Sequence, residues 1–134
     1  GADREMASFL PARLEQILGN ITVKPLQKSV MVGHSGVRVR VAWQCMYEGG
    51  PIKVPVKNMP FKASMGTCQG KFNQNSQTDT NGVLTTRVGT IGDCSQAILK
   101  AGMNLRALVG DLVGQDILDA VRIKPSGTQA VVRQ

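Results

Sequence analysis

Aromatic residues are scarce in this chain: one Trp, one Tyr and three Phe among 134 residues. Phe9, Trp43, Tyr47, Phe61 and Phe72 are too few for a stacking platform interleaved with positive charge, so no nucleic-acid partner is expected. Sixteen Lys and Arg against nine Asp and Glu give a net charge of +7, which attracts acidic partners, yet the basic residues are scattered and never form a dense block. Histidine is rarer still, with His34 alone, and Cys45, Cys68 and Cys94 show no CxxC spacing. That excludes the ligand pattern of a structural zinc site, and no metal or cofactor is expected. No apolar run approaches the roughly 20 residues of a membrane-spanning helix, so no span within this chain is expected. Because it opens on Gly1 rather than Met, the chain is expected to result from removal of a tag or excision from a longer precursor.

What is present describes a globular protein. A composition 42% hydrophobic and 19% charged is neither disordered nor fibrous, and 134 residues suffice for one real core. From Asp3 to Leu18, Met6, Phe9, Leu10, Leu14, Ile17 and Leu18 recur at helical spacing, with Gly19 where a C-cap belongs. This predicts an N-terminal amphipathic α-helix over 1–20. Pro11 requires either that Ser8 cap a helix whose first turn holds the proline, or that the helix kink there.

After Asn20 the period falls to two, and 21–134 reads as a single β domain. Val37, Val39, Val41, Trp43, Cys45 and Tyr47 alternate with Arg38, Arg40, Ala42, Gln44 and Met46. Such alternation predicts a long antiparallel strand with Trp43 and Cys45 in the core. An earlier strand is expected over Ile21–Val32, followed by the turn Gly33-His34-Ser35-Gly36. Ile52–Met65, with Phe61, Ala63 and Met65 alternating, should hold a strand that lies at an edge or contains a bulge, because Pro55 and Pro60 lack backbone donors. Gly66–Gln77 reads as a polar connection, Val83–Val88 as a strand, Gly89–Ser95 as a loop, and Ala97–Leu105 as a strand. In the last third, Ile117, Leu118 and Val121 fit a helical turn, while Ala120–Ile123 and Gln129–Val132 flank Pro125-Ser126-Gly127 as a hairpin would; the hairpin is preferred. Asp79, Asn81 and Gly82 form the turn into Val83–Val88, with positive φ expected at Asn81 and Gly82 in a type I′ geometry.

Few residues invite chemistry. Asp79 and Asn81 resemble half a calcium loop, but the closing bidentate Glu is missing and a turn explains the same residues. His34 beside Ser35 is the one imidazole available to a catalytic base, and Asp111, Asp116 and Asp119 form a carboxylate group that solvated faces or caps explain equally well. Cys68 and Cys94 fall in two polar loops and are the preferred disulfide for an oxidising compartment, leaving Cys45 as a buried thiol. A core bridge from Cys45 to either partner competes with that pairing.

Seven or so short strands separated by turns, with few helices and an inward Trp, describe a mainly β protein, an antiparallel immunoglobulin-like β-sandwich. The run Gly50-Pro51-Ile52-Lys53-Val54-Pro55-Val56, then Gly66 and Gly70, then Thr78-Asp79-Thr80-Asn81-Gly82-Val83-Leu84-Thr85-Thr86-Arg87-Val88, resembles the bacterial immunoglobulin-like domains of invasin/intimin-type and related cell-envelope proteins. The resemblance covers about residues 21–105 and departs from that pattern in the N-terminal helix and the cysteines. Its TDTNG element also occurs in transthyretin-like and carboxypeptidase-regulatory-like sandwiches, so it marks architecture rather than activity. A fainter likeness is to outer-membrane lipoproteins in which a helix precedes such a sandwich. The resemblance implies a non-enzymatic structural or protein-interaction module of a bacterial envelope protein, placed in the periplasm, outer membrane or surface. Its expected partners are other domains of its precursor or other envelope proteins. A carbohydrate-binding or adhesin module using the basic, loop-rich end, and a small all-β hydrolase, are the alternatives.

Overall fold

The computed structural model describes residues 2–33, 37–109, 112–121 and 129–134, with the backbone alone over 2–10. Helix α1 (Ala2–Gly19) leads through one residue into β1 (Ile21–Pro25), followed by β2 (Ser29–Met31), β3 (Val39–Gly49), β4 (Ile52–Pro55), β5 (Phe61–Ser64) and β6 (Lys71–Gln74). Then come β7 (Val83–Thr90), β8 (Gln96–Met103), the short helices α2 (Leu105–Val109) and α3 (Gln115–Ala120), and β9 (Gln129–Arg133). One sheet runs β1-β3-β7-β6, with β4 also paired to β3; the other runs β2-β9-β8-β5. All pairings are antiparallel except β2 with β9.

Period-two residues from both sheets meet in one core. Val41, Trp43 and Cys45 of β3, with Leu84 and Val88 of β7, join Phe61 of β5, Ala97, Leu99 and Ala101 of β8, and Ala130 and Val132 of β9. Trp43 and Cys45 are fully buried, and Trp43 lies between Pro25 and Leu84 in the sheet register. Lys62 and Ser64, alternating with buried Phe61 and Ala63, turn outward from β5, an edge strand that begins just after Pro60. From the helices, Leu18 enters the core, while Leu14, Leu105 and Val121 pack against it. Pro11 sits inside α1, which continues on both sides of the lost backbone donor.

Several segments differ from their sequence expectation. Val37 precedes the first paired residue of β3, Val39, and is 65% exposed rather than core-facing. Ile21–Val32 is two strands: β1 ends at Pro25, with one last bond to β3 from Leu26 N–H to Ala42 O at 2.8 Å, and β2 joins the opposite sheet. The connection Gly66–Gln77 contains β6, whose single apolar residue, Phe72, gives no visible alternation. β7 runs on to Thr90. The expected C-terminal hairpin is overturned in its described part, because Ala120 ends α3, Val121 caps it, and β9 pairs with β8 and β2 instead. The turn Pro125-Ser126-Gly127 lies outside the described residues, as do His34, Ser35 and Asp111.

Candidate functional site

The Asp79–Val83 turn is built from its own first residue. Asp79 Oδ1 accepts the Asn81 and Val83 backbone N–H groups at 2.8 and 3.0 Å, while Gly82 N–H donates to Asp79 O and Asp79 N–H to Val83 O, each at 3.0 Å. Gly82 has φ +74°, but Asn58 is the one non-glycine with positive φ among the described residues. The expected type I′ geometry is therefore replaced by a three-residue loop, Thr80-Asn81-Gly82, in which Gly82 alone takes the left-handed position. The Asp79 carboxylate holds this turn through Oδ1. Among the described residues, no group of three or more His, Cys, Asp or Glu is placed to hold a metal ion.

This turn also governs how β3 changes neighbours. Cys45 N–H donates to Gly82 O at 2.7 Å, and Cys45 O accepts from Val56 N–H at 3.0 Å, so Cys45 is the residue at which β3 passes from β7 to the β4 segment. Gln44 Nε2 adds a 2.6 Å bond to Asn81 O.

Two polar side chains secure the adjoining loop. Thr78, almost fully buried, donates through Oγ1 to Val56 O at 2.5 Å and accepts from Met59 N–H at 2.9 Å. Gln74 uses its side-chain amide as a substitute strand partner: Nε2 donates to Phe61 O at 2.8 Å and Oε1 accepts from Ala63 N–H at 2.6 Å. The edge of β5 is thereby stitched to β6, an edge strand of the other sheet.

Cys68 and Cys94 form a disulfide with Cα atoms 6.0 Å apart, tying the β5–β6 connection to the β7–β8 connection. Both cysteines are half-buried against the core rather than exposed. Cys45 is a free, buried thiol, and desolvation pushes its pKa up to about 11. Of the carboxylates, Asp119 Oδ1 accepts from Gln115 Nε2 at 2.7 Å within α3, and Asp116 lies in the first turn of that helix. Neither is drawn toward Cys45 in the core.

Exposed apolar side chains gather on β4, which is exposed along its whole length: Ile52 is 54% and Val54 46% exposed. No helix among the described residues is long and apolar enough to cross a membrane. Compared with known proteins, the chain matches no family model, no curated protein and no solved structure.

Proposed function

We propose that this chain is an immunoglobulin-like module of a bacterial envelope or surface protein, placed outside the cytoplasm and working by rigid presentation and protein contact rather than by catalysis. The strand order carries the reading. β1-β3-β7-β6 follows the A-B-E-D sheet of an immunoglobulin domain, and β9-β8-β5 follows its G-F-C sheet. The first strand divides between the sheets, its second half, β2, lying parallel to the last strand, β9. Trp43 and Cys45 both lie on β3, the B-equivalent strand, so the antibody pattern of a Trp on strand C beside a B–F bridge is replaced by a disulfide between loops.

Compartment and mode of action have separate support. A disulfide persists where the surroundings are oxidising. A core thiol with a raised pKa is a poor nucleophile. Among the described residues β4 pairs with β3 alone, and its free edge with exposed Ile52 and Val54 suits addition of a strand from a neighbouring domain or another envelope protein. To test this, the protein is produced in its native host, cells are fractionated, and thiols are titrated in the denatured, unreduced protein. Envelope material with one titratable thiol, Cys45, is expected. Cytosolic material with three would overturn the proposal.

A further inference from the structure

On the outer face of the first sheet, Arg40 of β3 stands directly opposite Arg87 of β7, and Arg87 stands directly opposite Asn73 of β6. All three are exposed. Arg38, the outward position before Arg40, runs alongside Gly89: its Cγ and Nε lie 3.6 and 3.9 Å from where a Cβ would stand there. With the Asn73 amide turned to satisfy both its groups, its oxygen accepts from Arg38 Nη1 and its nitrogen donates to Phe72 O at 3.2 Å. Arg38, Arg40 and Arg87 thus share one face of the sheet, with Arg38 bonded to Asn73 and Arg87 standing between Asn73 and Arg40 in the register.

Like charges set directly opposite each other destabilise a sheet, and nothing described here offsets this pair. The ion pair found among the described residues, Lys53 with Glu48 at 3.6 Å, lies about 26 Å further along β3 from Arg40 at the strand rise per residue. Asp79 is engaged by its own turn. The second sheet behaves differently, since Lys62 faces Gly102 and Lys100 faces Ser64. Opposition of like charge is therefore a feature of the arginine row rather than of a basic protein in general.

We infer that Arg38, Arg40 and Arg87 form a binding site for an anionic polysaccharide, whose sulfate, phosphate or carboxylate groups lie across the row. Guanidinium forks match such groups bidentately. The neighbouring positions on this side of β3 and β7 are Gln44 and the buried Ala42 and Thr85, with Leu26, half exposed, bonded through its N–H to Ala42 O at 2.8 Å. They supply no aromatic ring for a base or neutral sugar to stack on and no projecting element to enter a DNA groove, and the Leu26 side chain is too small an apolar surface to enter lipid. The choice of polysaccharide over nucleic acid also rests on the extracytoplasmic reading above.

The test titrates the full chain with dextran sulfate, neutral dextran and duplex DNA over a range of salt. Dextran sulfate is expected to bind, more weakly as salt rises, and neutral dextran not to bind. The double variant Arg40→Gln/Arg87→Gln should lose about tenfold in affinity, whereas Lys62→Gln/Lys100→Gln, which removes the same charge from the other sheet, should stay within about twofold. The arginine variant should keep or raise its thermal midpoint, because a repulsion has been relieved. Failure to bind dextran sulfate, equal losses in the two variants, DNA bound as tightly as dextran sulfate, or a lowered midpoint would each overturn the inference. Three free thiols in cytosolic material would instead overturn the extracytoplasmic reading while leaving these affinities intact.

Discussion

Gly82 and Cys45 meet through their backbones, and each constrains the other. A Cβ at Gly82 would run into Cys45 O and stand 3.1 Å from both Pro55 Cβ and Val56 N, at a φ of +74° that side chains rarely adopt. Gly82→Val should therefore destabilise by about 2 kcal/mol or more, the left-handed conformation alone contributing 1–2 kcal/mol. Urea denaturation measures this, and a midpoint near that of the unchanged protein would show that the turn yields. Cys45 gives a pH dependence. Its thiol titrates at about 11 when folded against 9.0 as the reference, so between those values the native state retains a proton that the unfolded chain has lost. Stability should be insensitive to this group below about pH 9 and fall by about 3 kcal/mol as pH rises toward 11. Comparison with Cys45→Ala isolates the effect: that variant should show a shallower alkaline decline, and equal slopes would refute the assignment.

Among the elements, β6 shows why patterning finds some strands and not others. β8 alternates buried Ala97, Leu99 and Ala101 with Gln96, Ile98 and Lys100, and β3 and β7 carry enough inward apolar residues to show their period. β6 reads Lys-Phe-Asn-Gln and is held by its neighbours. Gln74 matters through bonds to the backbone of β5, residues away in sequence and in the other sheet. Gln74→Ala should cost about 2 kcal/mol, near 1 kcal/mol for each lost bond, and should speed hydrogen exchange at the Ala63 amide. Gln77→Ala, which removes one exposed contact with Asn58 at 3.3 Å, should do neither. Similar behaviour of the two variants would show that the edge of β5 needs no stitch. The short helix α3 was ambiguous for a related reason: six residues complete fewer than two turns, too little for helical spacing to be told from a strand.

For the whole molecule, the disulfide joins two connections that each pass from one sheet to the other, across a sequence separation of 26. Replacing both Cys68 and Cys94 by Ala should lower stability by about 3 kcal/mol through the freer unfolded chain, read as a fall in denaturation midpoint. An unchanged midpoint would mean that the core holds these loops without help. Local sequence determined the alternating strands, the inward placement of Trp43 and Cys45, and the positive φ of Gly82, because each follows from side-chain period or backbone sterics within a few residues. Tertiary structure decided that β1 and β2 belong to different sheets, that β9 pairs with β8 and β2 rather than with residues near Ala120, and that Arg40 faces Arg87. Such outcomes depend on which edge finds which partner across long separations, and that choice is made by burial of the shared core rather than by any short run of residues.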